Sequence, residues 1–81
     1  MSEFKHVPAN IQAFMRFFKW EHLPTPLQPR SAVFQQLATT VLHQADLIVD
    51  GGGDVDWAEV MVGLRNLLTA KDNIVRAFLP M

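Results

Sequence analysis

Apolar residues recur at helical spacing in three stretches of this chain, separated by one proline-rich and one glycine-rich break. In the first stretch, PANIQAFMRFFKW, Ile11, Phe14, Met15 and Phe18 fall at i, i+3, i+4 and i+7, an amphipathic face. Pro8 suits the first turn of a helix, where its missing N–H costs nothing. The spacing predicts a short helix over about 8–20. EHLPTPLQPR follows, with three prolines within six residues. Proline lacks an amide donor and restricts its predecessor, so this stretch is expected to be an extended, stiff connector.

The second stretch predicts a helix from about Pro29 to Val49. Phe34, Ala38, Val41, Ala45 and Ile48 alternate spacings of four and three, and Leu37 and Leu42 widen the stripe. Ser31 reads as a helix-start residue. DGGGD at 50–54 ends the helix, because its glycines permit left-handed backbone and a sharp reversal. Asp56 followed by Glu59 resembles a capping box, with Asp54 as the alternative cap. The third helix is expected from about Val55 to Phe78. Trp57, Val60, Leu64, Leu67, Lys71, Ile74 and Phe78 repeat as three, four, three, four, and Met61, Leu68 and Val75 broaden that face. The fold expected is all-α: an antiparallel two-helix hairpin over about 29–79 with an additional short N-terminal helix, in one domain spanning 1–81.

Lys71 stands in the middle of the third stripe and projects from the apolar face whichever seam is chosen. Two ordinary readings exist. Its aliphatic stem can lie along the seam while the ammonium reaches water, or a single polar residue can set register. The functional reading is that it meets a phosphate or carboxylate between helices, since a buried unpaired ammonium is costly. Arg65 and Arg76 flank it on the same helix, although Arg76 could equally pair with Asp72 four residues back. A second cluster, RFFKWEHLP, places Phe17, Phe18 and Trp20 beside Arg16, Lys19 and His22. Aromatic faces with neighbouring cations can stack on a nucleobase and hold its phosphate. Phe14 and Phe18 read better as core, which leaves Trp20, beside the proline break, as the ligand candidate.

Composition narrows these options. The chain has 81 residues, 49% of them hydrophobic, and no cysteine. A chain this short buries only about 60% of its unfolded surface, so subunit association is the expected way to cover so much apolar area. A net charge of −1, from 7 basic and 8 acidic residues, argues against a DNA or RNA polymer as partner. A small anionic ligand held by a few cations remains compatible. His6, His22 and His43 show no paired helical spacing, and DGGGDVD lacks the ligand pattern of a calcium loop, so no metal or cofactor is expected. No nucleophile sits in a recognisable catalytic setting, which points away from an enzyme. With no signal-peptide pattern and no run of 18 apolar residues, a cytoplasmic protein without membrane contact is expected.

FKWEHLP ahead of one helix, and LRNLLTAKDNIVRA closing another, resemble the phage anti-CBASS sponge family. These small helical-hairpin proteins sequester cyclic nucleotides and so block cyclic-oligonucleotide-based antiphage signalling. Leu64, Leu67, Ala70, Lys71 and Arg76 carry the match in the last helix, and the resemblance covers roughly 17–79. Leu68 and Thr69 stand where the family often has acidic residues. The resemblance implies a homo-oligomer, a dimer or a higher assembly such as a hexamer, with ligand pockets between subunits. It implies tight binding of cyclic dinucleotides or trinucleotides without hydrolysis, in the bacterial host cytoplasm. Trp20 is then the candidate for base stacking, and Lys71, Arg65 and Arg30 for phosphate contacts, with His22 and Arg76 as further candidates. The competing expectation is a protein–protein interaction module that docks a partner helix on its apolar seam.

Overall fold

The computed structural model describes residues 4–21, 23 and 25–77. All regular structure among them is helical, in three α-helices: α1 (Ala9–Phe14), α2 (Gln28–Asp50) and α3 (Trp57–Ala77). His22 lies outside the described residues, as do Phe78 and Leu79 at the expected end of α3.

The N-terminal helix is shorter than its spacing predicts. After Phe14 the backbone tightens into a 3₁₀-helix over Met15–Phe18, then becomes extended at Lys19. Ile11, Phe14, Met15 and Phe18 satisfy either winding, so the apolar pattern could not locate the change. The tighter turn stacks Phe14 edge-on to both Phe17 and Phe18, with ring centroids 5.2 and 6.1 Å apart. Pro8 caps α1 through its carbonyl, which accepts the amides of Ile11 and Gln12, both at 3.1 Å.

The connector is not extended throughout. Thr25–Leu27 forms a second 3₁₀-turn that leads directly into α2, whose first turn holds Pro29. The Gln28 side chain staples this segment by donating to the carbonyls of Glu21 (3.2 Å) and Leu23 (3.0 Å). Ser31 is not a cap: it is fully buried, and its hydroxyl has no hydrogen-bond partner among the described residues.

α2 ends in a Schellman motif. The Gly53 amide returns to the Ile48 carbonyl (2.9 Å) and the Gly52 amide to the Val49 carbonyl (3.0 Å), with Gly52 left-handed at φ 93°. A side chain at Gly53 would meet the Ile48 side chain at 2.8 Å, so both glycines are needed here for different reasons. Asp56, not Asp54, caps α3: its carboxylate accepts the Glu59 amide at 3.2 Å.

The core joins the N-terminal segment, α2 and α3. Val7, Ile11 and Phe18 pack with Ala38 and Leu42 of α2 and Leu64 of α3. Small residues on the inner face of α2 (Ser31, Ala38 and Ala45) let the neighbouring elements approach closely. An N-terminal arm ahead of α1 is tied to α2. The amides of Lys5 and His6 donate to the Asp46 carboxylate, and the His6 ring lies 3.0 Å from Asp50. Phe4 packs against His43, with ring centroids 4.8 Å apart and the ring planes tilted by 49°.

Candidate functional site

Lys71 is only 6% exposed, so its ammonium does not simply reach out into water. It crosses to the entry segment and donates to the Phe17 carbonyl at 2.8 Å, with a longer contact to the Lys19 carbonyl at 3.4 Å. These carbonyls lie where the 3₁₀-helix runs out, an end whose acceptors have no further helical donor. A cation there satisfies them and suits the negative end of the local backbone dipole. The lysine therefore bolts α3 to the segment that precedes the proline connector. Burial lowers the Lys71 pKa below 10.5, while the neighbouring Asp72 carboxylate opposes the shift.

The same lysine lines an open cleft of about 220 Å³ with Leu23, Asp72, Val75 and Arg76. Four of these five residues come from consecutive turns of α3, and Leu23 closes the cleft from the connector. The cleft thus combines two cations and one carboxylate over an apolar floor. Arg76 is exposed and donates to the Asn73 side chain at 2.6 Å, in place of the Asp72 pairing considered from the sequence.

The other sequence candidates stand elsewhere. Trp20 is half-buried, and its indole N–H donates to the Gln35 side chain at 2.7 Å, so its polar edge is already committed. Arg30 lies in the first turn of α2, and Arg65 is on the exposed side of α3. Trp20, Arg30 and Arg65 are not among the described residues that line the Lys71 cleft. The structure thus brings Lys71 and Arg76 together and leaves these three apart.

Sequence reasoning overlooked Leu23, Asp72 and Val75 as cleft residues and the carbonyls of Phe17 and Lys19 as partners. Positions 71, 72, 75 and 76 share one side of a helix, a spacing that could have flagged the cleft. The carbonyl partners leave no mark in a sequence, because every residue has one.

No family model, curated protein or solved structure matches the chain. Among the described residues, no helix is long and apolar enough to cross a membrane. No group of three or more His, Asp or Glu residues among them is placed to hold a metal ion.

Proposed function

We propose that this protein binds cyclic oligonucleotide messengers in the Lys71–Arg76 cleft and sequesters them without hydrolysis. In this reading it is a phage product acting in the bacterial host cytoplasm against cyclic-oligonucleotide antiphage signalling. α2 and α3 form an antiparallel hairpin, and copies of the chain assemble as a dimer or a higher oligomer.

The observation that carries the reading is a buried lysine held at the edge of a cleft that also contains an arginine. An ammonium has three donors, and the two carbonyls engage two of them. The third can meet a phosphate oxygen without dismantling the bolt. Arg76 can add a forked contact to the same phosphate. Asp72 beside them disfavours a densely charged anion such as free phosphate and suits a diester carrying one charge per linkage. Val75 and Leu23 offer apolar area to a base or ribose. With a volume of about 220 Å³, the cleft covers only part of a dinucleotide, so a second subunit must complete the site.

The competing interaction module draws its support from a different place. The α3 seam is internal at Leu64 and Lys71, whereas α2 exposes Val33, Leu37, Val41 and Ile48. An apolar surface of that kind favours a protein partner.

Thermal melts against a panel of cyclic di- and trinucleotides, with linear dinucleotides as controls, separate the two readings. A ligand at 100 times its dissociation constant stabilises the fold by about 2.7 kcal/mol. The sponge reading expects such a shift with one or more cyclic members and recovery of the ligand intact. A flat panel, or recovery of a linearised product, contradicts it.

A further inference from the structure

We infer that the outer stripe of α2 is a self-association face on which a second copy of the chain lies antiparallel, with a two-fold axis beside Thr40 and Val41. This rests on the assembly part of the reading above and is independent of its ligand. Val33, Leu37, Val41 and Ile48 are 38–59% exposed, although all four are large and apolar. At about 100° per residue they fall, with Gln44, within roughly 80° of the helix circumference. They form one continuous stripe. The buried residues Ser31, Ala38, Leu42 and Ala45 occupy a separate arc. The N-terminal arm reaches α2 through His43, Asp46 and Asp50, which lie on the side opposite the stripe. Nothing else in the described chain is placed to cover it.

Three features identify the occupant as another copy in antiparallel orientation. The first is spacing. Val33 and Ile48 are equidistant from the midpoint between residues 40 and 41, and so are Leu37 and Gln44, and Thr40 and Val41. A two-fold axis at that midpoint sets each member against its counterpart in the other copy, as an isologous contact demands. The second is charge. Arg30 continues the stripe one turn before Val33, and the acidic turn with Asp54 and Asp56 follows Ile48. Antiparallel pairing brings each Arg30 to the acidic turn of the other copy, whereas parallel pairing would oppose like charges.

The third is shape. The molecule is long and thin, 48 × 24 × 17 Å, with a radius of gyration of 13.9 Å. A compact chain of this length would have about 12 Å. A second copy laid along the long axis restores compactness.

The chain has no native cysteine, so single thiols report the contact directly. Val41→Cys sits beside the proposed axis, and Asn66→Cys, exposed on α3, serves as the control. With a short bismaleimide, Val41→Cys should yield mostly covalent dimer and Asn66→Cys mostly monomer. Leu37→Glu, at a half-exposed position, should keep its helical circular dichroism and sediment as a smaller species than the native chain. A native chain that sediments as a monomer overturns both this face and the assembly reading. An oligomeric native chain that cross-links at Asn66 but not Val41, or that Leu37→Glu leaves intact, overturns the face alone.

Discussion

At the residue scale, Lys71 reconciles two readings that compete in the sequence. It is structural, because it satisfies carbonyls of the entry segment, and it also borders a cleft. Lys71→Met keeps most of the stem packing but leaves those acceptors without their donor. The hydrogen bond is part-buried, so losing its donor costs about 0.5–1.5 kcal/mol, and the acceptors cannot be mutated away because they are backbone. We expect denaturant unfolding of Lys71→Met to show a loss of that size. The ammonium also leaves a signature in pH. Its pKa is lowered on folding, so between the folded value and about 10.4 the unfolded chain binds more protons than the native one. Native stability should therefore rise with pH through that window, and Lys71→Met should lack the rise. Asp50 acts at the other end of the scale. The hydrogen bond with His6, aided by Lys5, lowers its pKa below 3.8. The stabilisation is present above the unfolded value and is lost as pH falls through the folded one, so Asp50→Asn should flatten the acid limb of the stability curve.

At the element scale, glycine position decides the sign of a substitution. Gly52 is left-handed at the end of α2. Gly52→Ala should cost about 1–2 kcal/mol, because a Cβ there crowds the following carbonyl. Gly63 lies inside α3 with open space where a Cβ would stand. Gly63→Ala should stabilise by up to about 1 kcal/mol, through helix propensity alone. Melting both variants beside the native chain checks the pair. α2 and α3 were legible in the sequence because long stripes bounded by proline, glycine and a capping aspartate admit few alternatives. Both ends of α2 and the start of α3 shift by only a residue or two from the expected 29, 49 and 55. The short first element was not legible to the same degree, since four apolar positions fit an α-helix and a 3₁₀-helix alike.

At the scale of the whole molecule, the sequence merges what the structure separates. Ala38 and Ala45 read as one stripe with Val41 and Ile48, yet the first two are buried and the second two exposed. Periodicity marks an apolar arc but not which part of it meets the rest of the chain. That depends on the small residues of α2 and on an N-terminal arm whose contacts join residues some 40 positions apart. The candidate site was legible as far as Lys71 and Arg76, because an ionic group in an apolar stripe stands out at any scale. Trp20, Arg30 and Arg65 read as part of it only because neighbours in a sequence say little about distance across a fold. The cleft on a single subunit covers only part of a dinucleotide, so the proposed ligand site depends on the proposed assembly, while the assembly does not depend on the ligand.

The most direct test is calorimetric titration of the cyclic nucleotide that gives the largest melt shift, into the native chain and into Arg76→Ala. Arg76 is exposed and takes no part in the core, so the variant should keep its fold. A charge-assisted phosphate contact contributes about 1.5–3 kcal/mol, equivalent to an affinity loss of about tenfold or more. The account predicts saturable binding to the native chain, that loss in the variant, and intact ligand recovered from both. Equal affinity in the two proteins, or heat from neither, would contradict the assignment of the Lys71–Arg76 cleft as the site.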